Sequence, residues 1–153
     1  RAVQIEALEI SRIAAQLGSS SPLRDLPAEV RAYVDAIESA DLLIVGTPVY
    51  RGSCTGLFKH LFDLVHYESL ANVPVLLAAS GGSDRHALVI DHQLRPLFSF
   101  FQSLTLPIGV YATDADFKDY RIASQPLLDR IDLAVTRALP WLGEGTAELS
   151  QAA

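Results

Sequence analysis

Apolar residues fall along this chain in two rhythms, short unbroken runs and stripes at helical spacing. Leu42-Leu43-Ile44-Val45 and Val73-Pro74-Val75-Leu76-Leu77-Ala78-Ala79 are continuous runs, the pattern of parallel strands covered on both faces. Residues 2–10 alternate partly, through Val3, Ile5, Leu8 and Ile10, and read as a first strand. Ile108-Gly109-Val110-Tyr111-Ala112 reads as a last one. Between the runs lie helical stripes. Pro27 opens one with Val30, Tyr33, Val34 and Ile37. Leu57, Phe58, Leu61, Phe62 and Val65 form another, and Ser124 and Pro126 start a third with Leu127, Leu128, Ile131, Val135 and Leu139. Gly18-Ser19-Ser20-Ser21-Pro22 and the polar stretch 113–123 read as loops. Strand and helix thus alternate four times, which predicts one α/β domain over 1–153, a parallel sheet with helices on both faces. Residues 144–153 read as a mobile tail.

A long helix is predicted over 87–104, opening at Ala87 and closing at Leu104. Ile90, Leu94, Leu97, Phe98, Phe101 and Leu104 can face the sheet, while Val89 and Phe100 fall on other faces. A helix apolar on more than one side is buried on more than one side, so a second copy of the chain is the expected cover. Pro96 has no N–H for the carbonyl of His92. An ordinary proline kink and a π-bulge near His92 both fit that fact.

Composition narrows the class. Half of the 153 residues are apolar and the net charge is −6, with a pI near 5.1, which argues against a nucleic-acid or anionic-membrane surface. No apolar run reaches the ~20 residues a membrane span needs. Cys54 is the one cysteine, which fits a reducing compartment, and His60, His66, His86 and His92 lack metal-ligand spacing. His60 and Asp63 do not form a hydrolytic triad with Ser53, for no nucleophile-elbow pattern is present.

The chemistry concentrates at two turns. Thr47-Pro48-Val49-Tyr50-Arg51-Gly52 follows the run 42–45, and Ser80-Gly81-Gly82-Ser83 follows the run 73–79. Each turn lies at the carboxyl end of a strand, where open α/β sheets bind ligands. Pro48 stiffens the first and Tyr50 offers a flat ring; Gly52 and Gly56 permit close backbone approach. Tandem glycines expose N–H groups that can bind carbonyl oxygens. Taken singly, each is an unremarkable strand-ending turn. Together they would line one crevice suited to a flat, polar-edged ring system such as a flavin. Asp84 and Arg85 read as a solvated helix start, and His86 as either that or a ligand contact. Cys54 reads as packing.

The stretches Gly46-Thr47-Pro48-Val49-Tyr50, Thr55-Gly56-Leu57-Phe58-Lys59-His60 and Asp63-Leu64 resemble the NAD(P)H-dependent FMN reductases of bacterial sulfonate metabolism. So do Gly81-Gly82-Ser83-Asp84-Arg85-His86-Ala87-Leu88, His92-Gln93-Leu94-Arg95-Pro96-Leu97-Phe98 and Leu106-Pro107-Ile108-Gly109-Val110-Tyr111-Ala112-Thr113-Asp114. The likeness covers most of 41–142 and is strongest to the methanesulfonate reductases, with the alkanesulfonate enzymes related. It implies a flavodoxin-like doubly wound sheet of order 2-1-3-4-5, FMN as flavin, and NADH or NADPH as reductant. It implies Thr47, Pro48, Val49 and Tyr50 on one side of the flavin and Ser80, Gly81, Gly82 and Ser83 on the other; with Gly52 and His86 from the residues themselves, these make the expected cofactor-binding set, with no catalytic residue in the usual sense. It also implies an FMN-dependent monooxygenase as partner, a cytoplasmic homotetramer or dimer built through the helix over 87–104, and a π-bulge in that helix. The family's first strand and its phosphate-binding loop have no counterpart here, and the first run of this chain, at 2–10, resembles the family's second strand. The expectation is therefore that such residues lie upstream of Arg1. A flavin-bound quinone or azo reductase and a flavodoxin-like electron carrier remain open alternatives, whereas a phospho-receiver lacks its acidic pair.

Overall fold

The computed structural model describes residues 3–22 and 24–142. The tail expected over 144–153 lies outside them. Five helices and six strands follow in chain order: α1 (Ala14–Gly18), α2 (Ala28–Glu38), β1 (Leu43–Pro48), α3 (Gly56–Asp63), β2 (Pro74–Gly81), α4 (Arg95–Phe100), β3 (Leu104–Thr105), β4 (Val110–Thr113), β5 (Phe117–Lys118), β6 (Arg121–Ile122) and α5 (Gln125–Ala138). β2 is the centre of the main sheet. β1 pairs with it in parallel from Leu43↔Val75 to Pro48↔Ser80, and β3 and then β4 pair with it in parallel through Pro74↔Leu104 and Ala78↔Val110. β5 and β6 form a small antiparallel hairpin inside the stretch expected as a loop.

Alternation along the strands sends side chains to two faces. One face packs Val45, Val75, Leu77 and Ala79 against Val30 and Val34 of α2, Phe58, Leu61 and Phe62 of α3, and Leu94 and Phe98. The aromatic rings there interlock, Phe62 meeting Phe98 edge-on at 4.9 Å between centroids. The other face packs Leu76 and Leu106 against Ala134 and Ala138 of α5. Helices thus cover both faces, as the alternating pattern requires.

The structure corrects several expectations. Residues 3–9 form no strand; Val3 and Ile5 are exposed, and the chain turns helical at Ile10–Ile13. Partial alternation becomes a strand only where a neighbour supplies backbone partners, and β1 has none on that side among the described residues. For the same reason β1 is not covered on both faces: Val45 and Thr47 point into the core, but Ile44 is 67% exposed. The order 2-1-3-4-5 is represented only by the succession β1-β2-β4.

The helix expected over 87–104 is shorter: a 3-10 turn Asp84–His86 precedes it, and a π turn Ile90–Leu94 runs directly into α4, which ends at Phe100. The π turn lies where Pro96 withholds an N–H from His92, so the π-bulge is the alternative adopted. The wider turn rotates two successive residues inward, and Val89 joins Ile90 in the chain's own core rather than on an outer face. Leu104 leaves the helix altogether and enters β3. Phe100 and Leu88 remain exposed, at 68% and 60%.

On α5 the buried positions are Leu127, Ala134 and Ala138, while Leu128, Val135 and Leu139 are exposed. Beyond Leu127, it is the small Ala134 and Ala138 that pack on the sheet, against Leu76 and Leu106.

Candidate functional site

The first turn begins inside the sheet. Thr47 is 4% exposed, and its hydroxyl accepts the Thr55 N–H at 3.2 Å and donates to the Pro48 carbonyl at 3.0 Å. Thr47 is therefore a brace that draws the start of α3 back to the end of β1. Thr55 caps α3, accepting the Phe58 N–H at 3.2 Å. Between these braces, Tyr50 and Ser53 exchange backbone hydrogen bonds at 2.9 and 3.2 Å around Arg51 (φ 55°) and Gly52 (φ 81°). Two successive left-handed residues make a type I′ turn, which closes a tight reversal without splaying its arms. The turn carries Tyr50 outward, 66% exposed at the end of the sheet. Ser53 donates to Gln93 Oε1 at 3.0 Å and so ties the turn to the π turn behind it. Cys54 is half-buried and packs against the main core, as packing predicts.

The second turn is its neighbour. Pro48 pairs with Ser80 in the parallel ladder, and the Val49 N–H donates to the Ser80 carbonyl at 2.7 Å. The two sequence motifs, 32 positions apart, are adjacent at one edge. The N–H groups of Gly82 and Ser83 donate to nothing among the described residues. A Cβ on Gly82 would meet Asp114 Oδ2 at 3.6 Å, ordinary contact distance, so this position is open toward solvent. Gly81 differs. A Cβ there would lie 2.3 Å from Tyr111 Oη, so its missing side chain makes room for a tyrosine of this chain, rather than only for a ligand. His86 is exposed in the 3-10 turn that follows. It stands near the diglycine turn in sequence, and among the described residues its side chain makes no hydrogen bond or ion pair.

Four residues outside the expected set complete the site. Tyr111, on β4, donates its hydroxyl to the Ser83 carbonyl at 2.7 Å and pins the diglycine turn. Burial raises its phenol above the ordinary tyrosine value, and the carboxylates of Asp84 and Asp114 push the same way. Thr113 and Asp116 form a capping box, with Asp116 Oδ2 accepting the Thr113 N–H at 2.7 Å and its hydroxyl at 2.9 Å. The Thr113 N–H first, then the Ser124 and Thr113 hydroxyls, hold the Asp116 carboxyl below the usual range. Gln93 is the fourth. The signal for Tyr111 was visible as an aromatic in a strand one β-α unit downstream, but its partner was not.

His60 has a structural role. Its Nε2–H faces two carbonyls, Leu17 at 2.9 Å and Ser20 at 3.1 Å, so this nitrogen carries the proton and staples the end of α1 to α3. Among the described residues no group of three or more His, Cys, Asp or Glu side chains is placed to hold a metal ion, and no helix is long and apolar enough to cross a membrane.

Free amides, an exposed ring and glycine clearance at a strand-end crevice suit a flat heterocycle with carbonyl edges. The sequence profile described as NADPH-dependent FMN reductase matches residues 3–118. The chain belongs to this family. It is accordingly an NAD(P)H:FMN oxidoreductase, with FMN and a reduced nicotinamide nucleotide as its cofactors. It is similar to the NADH-dependent FMN reductase SfnF of Pseudomonas fluorescens (strain Pf0-1), at 61% identity over 141 residues, covering 92% of this chain and 75% of that protein. It is similar also to an FMN reductase (NADPH) of Pseudomonas aeruginosa, at 59% identity, covering 96% of this chain and 78% of that protein. Among solved structures it resembles an oxidoreductase from Corynebacterium diphtheriae, with a TM-score of 0.78 and 34% identity over 88% of this chain and 72% of that one. A second is the apo form of the NADH:FMN oxidoreductase EmoB, with a TM-score of 0.65 and 30% identity over 71% of this chain and 57% of that one. These likenesses agree with the flavodoxin-like α/β fold expected from the sequence.

Proposed function

We propose that this FMN reductase releases its reduced flavin to a separate FMN-dependent monooxygenase that cleaves sulfonates, in the cytoplasm. The observation that carries the reading is the convergence of the two turns through the Pro48↔Ser80 pair, with Tyr50 exposed on one and free amides on the other. The flavin, when bound, would supply a two-electron acceptor for the hydride of a reduced nicotinamide. The chain's own part is positional. Pro48, Val49 and Tyr50 form one wall, Tyr50 giving a face for stacking. Ser80, Gly81, Gly82 and Ser83 form the other, the amides of Gly82 and Ser83 donating to ring carbonyl oxygens. Thr47 and Gly52 set the shape of the first wall, and His86 stands at the rim. No side chain need transfer a proton, which is why no acid–base pair is assigned. A shallow site on exposed turns favours flavin exchange over permanent retention.

The exposed Leu88 and Phe100 flank the π turn, and their burial against a second copy would build the dimer or tetramer. Such a contact would reach the flavin wall through Gln93 and Ser53.

Steady-state NADH oxidation with FMN varied tests the reading. FMN should behave as a saturable substrate, purified protein should be colourless, and Tyr50→Ala should raise the KM for FMN about tenfold, as the loss of one aromatic contact of roughly 1–1.5 kcal/mol requires. Flavin that co-purifies stoichiometrically and resists dialysis would refute release.

A further inference from the structure

β3 and β4 lie end to end on the outer side of β2, and the gap between them leaves backbone carbonyls at the sheet edge. Two arginines answer those carbonyls. Arg95 Nη1 donates to the Leu106 carbonyl at 3.0 Å, and Arg130 Nε donates to the Gly109 carbonyl at 2.8 Å. Beside them runs a cleft of about 280 Å³, whose lining includes Ala87, Asp91, Gly109, Tyr111 and both arginines.

Edge capping explains one N–H of each arginine but not the rest. A guanidinium has five N–H groups. Arg95 spends its Nε on Asp91 at 2.9 Å and one Nη on the carbonyl. Arg130 spends only its Nε, and among the described residues it has no carboxylate partner. The carboxylate nearest it along α5, Asp129, accepts instead from Gln125 at 2.7 Å. The cleft therefore holds two guanidiniums against one carboxylate, a local excess of positive charge in a chain of net charge −6. The backbone contacts fix both planes, so the remaining N–H groups are presented without further ordering, the arrangement that suits phosphate oxygens.

The cleft also leads to the site already described. Its lining includes Tyr111, the residue that pins Ser83 and underlies Gly81. Gly109 lies two residues below, roughly 7 Å along the strand. That is comparable to the reach of a nicotinamide riboside from its ring to its phosphate. We infer that the cleft along the β3–β4 edge binds the pyrophosphate of the pyridine dinucleotide, with Arg130 as its principal ligand and Arg95 as its second. This rests on the NAD(P)H:FMN reading and names the site of the reductant's anionic arm.

The test uses the full chain and ADP-ribose, which carries the pyrophosphate without the nicotinamide. Calorimetry should show ADP-ribose binding that weakens at least tenfold in Arg130→Gln and recovers partly in Arg130→Lys. In turnover, Arg130→Gln should raise the KM for NADH and NADPH about equally, with the KM for FMN unmoved. A rise confined to NADPH would keep the cleft as an anion site and assign it to the 2′-phosphate instead. Undiminished ADP-ribose binding in Arg130→Gln, no binding to the wild type, or a matching rise in the KM for FMN would overturn the inference. Since Arg130→Gln also disturbs the edge cap, inorganic pyrophosphate on the wild type provides an arm free of folding effects: it should compete with NADH, and competition with FMN alone would count against the cleft. Absence of any FMN-dependent NADH oxidation would instead defeat the underlying reading, independently of these binding results.

Discussion

Gly81→Ala is the sharpest test of the site's architecture. The backbone at Gly81 is not left-handed, so alanine meets no conformational obstacle there; the obstacle is Tyr111. The new Cβ would stand 2.3 Å from Tyr111 Oη, 3.4 Å from its Cζ and 3.6 Å from Val49 Cβ. Only the first contact is impossible, and the atom involved is the far end of a side chain. The ring must swing away, giving up its 2.7 Å hydrogen bond to Ser83. The lost bond costs about 0.5–1.5 kcal/mol and the displaced ring about 1 kcal/mol more, a total of roughly 1.5–2.5 kcal/mol. For a chain of this size that lowers Tm by about 3–10 °C. Tyr111→Phe removes the clashing oxygen and leaves the ring edge at an acceptable 3.4 Å. On that background Gly81→Ala should cost only a few tenths of a kcal/mol, so the double-mutant cycle should show coupling of roughly 1–2 kcal/mol. Urea unfolding of the four proteins measures it. Equal costs of Gly81→Ala with and without the Tyr111 hydroxyl would refute the assignment of Gly81 as the seat of Tyr111.

Further outcomes follow from the same geometry. Gly109→Ala would place a Cβ 2.9 Å from Ile90 Cγ2 and 3.2 Å from its Cδ1, so it should destabilise by about 1–3 kcal/mol in urea unfolding, because Ile90 is held in the core by the π turn. Gly52→Val, at φ 81°, should cost about 1–2 kcal/mol and raise the KM for FMN, since a β-branched residue resists the second position of the type I′ turn. His60→Ala should cost about 1–2 kcal/mol and speed amide exchange in residues 14–20, which lose their staple to α3. The Asp116 carboxyl is held below its unfolded value, so its contribution is complete above the unfolded pKa and fades as pH falls through the folded one. NMR of Thr113 and the β5–β6 hairpin should show the capping box loosening in that acid range, and Asp116→Asn should abolish the pH dependence. Tyr111 has the opposite sense: its folded pKa is raised, so its hydrogen bond persists through neutral pH and is lost only as alkaline pH passes the folded value.

Much of this was legible before any coordinates. The runs 42–45 and 73–79 seed β1 and β2 because unbroken β-branched and aliphatic stretches favour extended backbone, and Ser124 starts α5 because its hydroxyl accepts the orphan Leu127 N–H. The two turns could be expected to meet, because strand ends in consecutive β-α units share one edge of the sheet. Pro96 announced a kink or a π-bulge near His92. Three things needed the tertiary structure. Residues 3–9 carry a strand's alternation without a strand's neighbour, and pairing is a property of two segments. Whether Pro96 yields a kink or a π turn depends on the core that accepts Val89 and Ile90 together, and on a glycine at 109 that leaves space for Ile90. Tyr111 beneath Gly81, and Arg130 on the Gly109 carbonyl, join residues 30 and 21 positions apart through contacts no local pattern encodes. Local spacing determines which segments become strands, turns and caps, because those choices are decided by backbone torsions and neighbouring hydrogen bonds. Which side chain fills the space beside a particular glycine is decided by distance in three dimensions, and only the folded chain sets that distance.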